Sequence, residues 1–261
     1  MSESRNGIVA LILSVNLTPR NPNLIESLRK AGISHHVVTG SSPTIARDHF
    51  QKNFSDFRPY SIMSDSQLAG TFGHFLMYQR AIALDYDFTI FLEDDCELDF
   101  LGLKDFVSTT NLYPKGLVLL GACGGFVRKK PITIQGFSFF EAIGDTVAGA
   151  HAYVLPKSLY ADFQNRAFFL QMLADSFHRN RETKMYVLVP YLATQIKDVP
   201  SFIPLIQIGQ STNPIRQILS SVRYDLSDRI RFGIWGGRFL RLPMPEKIAG
   251  LILKKLPGCK D

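Results

Sequence analysis

The chain has 261 residues, of which 46% are hydrophobic, so it is long enough for one large domain or a domain with an appendage. Its three cysteines, Cys96, Cys123 and Cys259, form no CxxC or zinc spacing, which excludes a disulfide scaffold and favours a reduced context. The net charge of +6 is uneven: residues 1–213 hold 19 Lys+Arg and 19 Asp+Glu, whereas residues 214–261 hold 10 and 4, so the whole excess sits in the tail.

In chain order, Ile8 to Asn16 reads as a first buried strand. Arg5 before this apolar run hints at a signal peptide, but Glu3 and the lack of an Ala-x-Ala-like site favour the strand. Asn23 is expected to cap a helix over Leu24 to Ala31, ended by Gly32. His36 to Thr39 is a short strand, and residues 40–66 read as polar and irregular. Phe72, Phe75, Leu76, Gln79, Ile82 and Ala83 fall at helical spacing, which predicts an amphipathic helix over about residues 69–84. Further strands are expected at Phe88–Leu92, Leu117–Leu120, Ala150–Leu155 and Met185–Val189, with helices opening at Pro156 and spanning Phe168–Phe177. Alternating strands and helices predict an α/β fold with a mostly parallel sheet. No stretch reaches the roughly 18 apolar residues that span a bilayer.

The most informative stretch is Phe88-Thr89-Ile90-Phe91-Leu92 followed by Glu93-Asp94-Asp95. An apolar strand here delivers three carboxylates to its carboxyl end, where ligands bind in open α/β sheets. Adjacent carboxylates repel one another, and a hard divalent cation relieves that repulsion while bridging to phosphates. A solvated acidic turn is the competing reading.

Gly73-His74-Phe75-Leu76-Met77-Tyr78-Gln79-Arg80-Ala81-Ile82, then Phe91-Leu92-Glu93-Asp94-Asp95, resembles glycosyltransferase family 25. That family includes bacterial lipopolysaccharide and lipooligosaccharide glycosyltransferases and collagen galactosyltransferases. Gly149-Ala150-His151-Ala152-Tyr153-Val154 is similar to its Gly-x-His-Ala-Tyr strand, and Val187-Leu188-Val189-Pro190 with Gln195 to its late strand. Asn16-Leu17-x-x-Arg20 is similar to its opening motif. The resemblance covers about residues 8–196. It implies a GT-A-like, Rossmann-like architecture, an inverting transfer and a nucleotide-sugar donor, often UDP-galactose. It further implies donor contacts from Asn16, Arg20 and His74, the last with a helix-surface or capping histidine as its competing reading. The residues themselves agree: Mn²⁺ or Mg²⁺ held by Asp95 would stabilise a sugar-diphosphate leaving group, and Glu93 or Asp94 would accept hydrogen bonds from ribose hydroxyls. Three departures stand out. Gly73 replaces the family's Ser, and the arginine-rich opening is thinned to Arg20 alone. The family's Pro-x-Asp aligns with Asn165-Arg166-Ala167, so either Asp162 or Asp175 supplies the missing acid, or acceptor handling differs, or activity is lost.

Other candidates have competing structural readings. His151, inside an apolar strand, is a metal ligand or a hydrogen-bonded core histidine. Asp145, in the loop before it, is a general base or a turn aspartate. Gly121 to Gly125 is a ligand loop or a plain turn, and Arg128-Lys129-Lys130 a diphosphate contact or a solvated loop. In the tail, Trp235, Phe232 and Phe239 interleave with Arg229, Arg231 and Arg238, as in interfacial membrane elements; a terminal helix packed on the body is the alternative.

The expectation is therefore a GT-A-like domain over residues 1–200 and a basic amphipathic extension over 201–261. It would move a sugar from a UDP-sugar donor to a surface-glycan or glycolipid acceptor, at the cytoplasmic face of the membrane. The rival is a catalytically impaired nucleotide-sugar- or glycan-binding relative. No nucleic-acid motif is present.

Overall fold

The computed structural model describes residues 5–53, 65–109, 113–122, 125–143, 147, 149–168, 183–196 and 239–242. Strand β1 (Arg5–Ser14) sets the plan. Val9, Ala10, Leu11 and Ile12 are all fully buried, so both of its faces are covered. A strand buried on both faces needs helices on each side of its sheet.

The chain continues through α1 (Asn23–Lys30), β2 (Ser34–Thr39), α2 (Pro43–Asn53), α3 (Asp65–Leu84), β3 (Tyr86–Glu93), β4 (Cys96–Leu98) and α4 (Phe100–Val107). It then runs through β5 (Leu117–Leu119), β6 (Gly125–Arg128), β7 (Ile132–Ile134), β8 (Phe137–Glu141) and β9 (Ala152–Pro156). A 3₁₀ turn at Lys157–Leu159 leads to α5 (Tyr160–Phe168), β10 (Met185–Val189), β11 (Ala193–Gln195) and β12 (Phe239–Leu242). Eight strands form one mixed sheet in the order β2-β1-β3-β9-β5-β10-β8-β7. Pairing directions place β9 and β8 against the other six, which all run the same way. This is the mostly parallel α/β architecture expected of a GT-A-like chain.

Successive side chains of the central strands enter opposite layers, as strand geometry requires. On one face Ala10, Ile12, Ile90 and Leu92 pack under Leu24 and Leu28 of α1 and Leu103 and Phe106 of α4. On the other, Leu11, Phe91 and Tyr153 pack under Phe50 of α2, Phe72, Phe75 and Tyr78 of α3 and Phe163 of α5. The Phe91 and Tyr153 rings stack at 4.9 Å. Each such large side chain contributes about 1.5–3 kcal/mol on burial, which fixes the register of the strands that carry the site.

The chain leaves β1 for β2 on one side and returns to β3 on the other. The carboxyl ends of β1 and β3 therefore flank a topological switch point, the place where open α/β sheets form a crevice.

Several local expectations need correction. Asn23 does not cap α1; it is the first helical residue, and its N–H donates to the Asn21 side chain at 2.9 Å. Residues 43–53, expected to be irregular, form α2, anchored by Ala46 and Phe50. Residues 125–141, where no element was predicted, supply β6 and the β7–β8 hairpin, and Arg128 lies on β6. Of the helix expected over 168–177, only residue 168 falls within the described chain, as the end of α5. In the tail, β12 pairs antiparallel with β6, from Phe239 opposite Arg128 to Leu242 opposite Gly125, so the main chain there joins the body. The rest of the 201–261 extension lies outside the described residues. Among the described residues no helix is long and apolar enough to cross a membrane.

Candidate functional site

The end of β1 and the turn after β3 meet through charge. Asp94 is 3% exposed, and both of its carboxylate oxygens are engaged. The Ser14 hydroxyl donates to one at 2.6 Å, and Arg20 Nε donates to the other at 2.6 Å. Ser14 reaches it because it closes β1; Arg20 reaches it because the loop from Val15 folds back over the strand ends. Asn21 stitches the two segments together. Its N–H donates to the Asp94 carbonyl at 2.8 Å, and its side-chain amide donates to the Cys96 carbonyl at 2.5 Å. Asp94, which with Glu93 was expected to meet ribose hydroxyls, anchors this corner through both oxygens.

Asp95 differs. Arg20 Nη2 lies 3.1 Å from its Oδ2, while Oδ1 is buried without a hydrogen-bond partner among the described residues. Burial pushes its carboxyl up to about 6, the charges of Glu93 and Asp94 add to the rise, and Arg20 opposes it. A buried acceptor with no donor is costly, and such atoms in native sites mark missing ligands, ions or waters. Its backbone carbonyl is held by the Ile196 N–H at 3.0 Å, and Gln195 pairs opposite Cys96, so β11 roofs the acid turn.

Glu93 ends β3, its N–H donating to the His151 carbonyl at 2.8 Å. Burial raises its carboxyl, but the facing His74 ring, with a smaller contribution from Arg20, outweighs burial and holds it below the ordinary carboxylate value. His74 Nε2 stands 3.8 Å from Glu93 Oε1, beyond hydrogen-bond range, and is buried without a hydrogen-bond partner among the described residues. Its other nitrogen, Nδ1, is 2.7 Å from the Tyr153 hydroxyl, which lies 2.8 Å from that of Tyr78. This fixes the ring's orientation. His74 sits on α3 at this depth because Gly73 before it rests on Leu13; a Cβ there would fall 2.7 Å from a Leu13 methyl. The family's Ser would have to displace that flexible side chain.

His151 begins the approach to β9 and is 4% exposed. Its ring hydrogen-bonds the Ala193 backbone, and burial holds it below its ordinary value, hence neutral. Gly121 makes room for this arrangement. A Cβ on Gly121 would lie 2.2 Å from the Ala193 carbonyl oxygen and 2.5 Å from His151 Nε2. Gly121 is therefore a cradle for the ring. The neighbouring Cys96 thiol is buried against the His151 carbonyl. Among the described residues, no three His, Cys, Asp or Glu side chains converge as a ligand set. Asp95 can thus offer a hard cation one or two oxygens, the kind of site at which water and substrate phosphate complete the shell.

The structure brings Arg20, His74, Glu93, Asp94, Asp95 and His151 to one end of the sheet. Asn16 lies on the same β1–α1 loop, exposed, between the exposed Val15 and Leu17. Asp145 and Asp175 lie outside the described residues. Asp162 is tied to Arg166 at 2.9 Å on α5, and Ala167 is 1% exposed, packed in the core where the alignment would set an acid. Arg128 is on β6, 3.3 Å from Glu141. Ser14, Asn21, Tyr153 and Gly121 were not singled out for these roles. Only the polar end of an otherwise apolar first strand could have pointed to Ser14.

No protein-family model and no curated protein sequence matches the chain. Solved structures that resemble it include A197 from STIV, at 17% identity and a TM-score of 0.38, covering 74% of this chain and 86% of that one. A glycosyltransferase involved in glycosylation of the major capsid of PBCV-1 matches at 11% identity and 0.33, covering 67% and 68%. A mannose-1-phosphate geranyltransferase from Thermus thermophilus matches at 9% and 0.41, covering 70% and 73%. At these identities and scores the likenesses identify no family.

Proposed function

We propose that the chain is a metal-dependent, inverting glycosyltransferase. It moves a sugar, galactose favoured, from a UDP-sugar to a lipopolysaccharide, lipooligosaccharide or other surface glycan. The observation that carries this reading is the buried Asp95 Oδ1, at the switch-point end of β3, which has no hydrogen-bond partner among the described residues. A divalent ion held there by Asp95, Mn²⁺ or Mg²⁺, would supply Lewis-acid stabilisation of the departing diphosphate. The chain's own groups have separable roles. Asp94, locked by Ser14 and Arg20, keeps the acid turn in place. Arg20, partly exposed, can present its fork to a phosphate. Glu93, ionised and half-buried, is the open acceptor for a ribose hydroxyl. His74, fixed by Tyr153, faces that carboxylate. His151 packs in the Gly121 cradle, its ring hydrogen-bonded to the Ala193 backbone.

The rival reading, a nucleotide-sugar-binding relative without turnover, is favoured by one observation: Ala167 is buried where the family pattern asks for an acid. In the active reading Asp145 or Asp175 supplies the base, and the basic tail holds the protein at the inner face of the cytoplasmic membrane near lipid-linked acceptors. Hydrolysis of a panel of UDP-sugars, with Mn²⁺ and with chelator, separates the readings. Metal-dependent release of UDP is expected. Donor binding with no release from any sugar would favour the rival, and no binding of any donor would reject both.

A further inference from the structure

We infer that Arg20 is a resident countercation which keeps Asp95 from taking a divalent ion until a diphosphate draws the guanidinium aside. The inference rests on the metal-dependent reading above and adds its regulation. Glu93, Asp94 and Asp95 are consecutive carboxylates, and among the described residues Arg20 is the cation in ion-pair contact with the last two, at 2.6 and 3.1 Å. Its hold is asymmetric. Nε is seated on Asp94, whose other oxygen is fixed by Ser14. Nη2 rests on Asp95, whose other oxygen has no partner among the described residues. The side chain is 20% exposed against 4% and 9% for the two aspartates, so it is the part of the cluster that solvent and ligand reach.

A divalent ion approaching Asp95 therefore meets a positive group already on the same carboxylate. Like charges at that distance repel, and the partly buried setting weakens screening. A diphosphate changes the balance, because a guanidinium pairs with phosphate oxygens through the same planar fork. Moving Nη2 from Asp95 to a phosphate frees Asp95 Oδ2 to join Oδ1. Ion and diphosphate then enter as a pair, and neither sits firmly alone.

The test is direct Mn²⁺ binding to the full chain, followed by the paramagnetic signal of free Mn²⁺, with and without UDP. Wild type, Arg20→Gln and Arg20→Lys are compared, each checked for a cooperative thermal melt. Without UDP, Arg20→Gln is expected to bind Mn²⁺ roughly tenfold tighter than wild type or more, in the ordinary range of coupling between sites. Arg20→Lys, which keeps charge but loses the fork, falls between them and reports the same trend if the Gln variant does not fold. UDP should strengthen binding far more in wild type than in Arg20→Gln. Equal or weaker Mn²⁺ binding by the variants without UDP overturns the gating role and leaves the metal reading intact. No Mn²⁺ binding by any protein, even with UDP, overturns the metal reading and this inference with it.

Discussion

Two buried polar clusters lie side by side in this molecule, and they are built differently. In the layer between α3 and the sheet, Tyr78, Tyr153 and the His74 Nδ1 edge join through hydroxyls at 2.7–2.8 Å, and Thr89 meets Tyr160 at 2.7 Å. Its groups are neutral or aromatic, and these hydroxyls are matched. At the strand ends, carboxylates meet Arg20, and two atoms, Asp95 Oδ1 and His74 Nε2, find no hydrogen-bond partner among the described residues. The first cluster has the properties of a structural network, since a satisfied buried network rigidifies a core. In the second, buried polar atoms without a partner among the described residues cost stability. His74 belongs to both, one nitrogen in each, and so couples the rigid layer to the open site.

The contrast can be broken or sharpened by substitution. Ser14→Ala removes a hydroxyl bonded to a buried carboxylate and is expected to cost the most, about 1.5–3 kcal/mol in urea unfolding. A cost near zero would mean that Asp94 is not anchored as described. Tyr153→Phe strips the hydroxyl shared by His74 and Tyr78 and should cost about 1–2 kcal/mol, more than a lone exposed hydroxyl would. If Tyr153→Phe is neutral, the matched network is not a source of stability.

Asp95→Asn should behave in the opposite sense. Its folded carboxyl is raised to about 6, above the ordinary value, so the native state holds an extra proton between those two values. Stability from this group is complete below the unfolded value and is lost as pH rises through about 6. The Asn variant lacks that loss. Relative to wild type it should therefore gain melting temperature between pH 4 and 7, without metal. Parallel pH curves for the two proteins would contradict the rise that burial imposes on this carboxyl. The smallest effect is expected from Asp162→Ala, which breaks a helix-surface pair with Arg166 and should cost only about 0.3–0.5 kcal/mol. Unchanged UDP-sugar turnover in that variant would remove Asp162 as the stand-in for the acid absent at Ala167.

Much of this was legible in the sequence where a signal is local. The β3 run ending in Glu93-Asp94-Asp95, the helical spacing of α3 and the His151–Val154 segment all place the site's elements, because apolar periodicity and strand-end acids are short-range patterns. Helix α2 was not legible, since only Ala46 and Phe50 among its mostly polar residues reach the core. The division of labour between Asp94 and Asp95 was not legible either. It depends on Ser14, 80 residues away in the chain, and on which oxygen Arg20 reaches. The same holds for Gly121, whose need for a missing Cβ arises from Ala193 and His151 rather than from its neighbours in the chain.

The central claim is that Asp95, whose Oδ1 has no hydrogen-bond partner among the described residues, takes a cation together with a diphosphate. The most direct measurement is the affinity of UDP for wild type and for Asp95→Asn, each in Mn²⁺ and in chelator, by calorimetry. Wild type is expected to bind UDP roughly tenfold tighter or more in Mn²⁺, within the usual range of coupled ligands, and Asp95→Asn to lose that gain while keeping its fold. Equal UDP affinity of wild type in Mn²⁺ and chelator, or a gain fully retained by Asp95→Asn, would contradict the account.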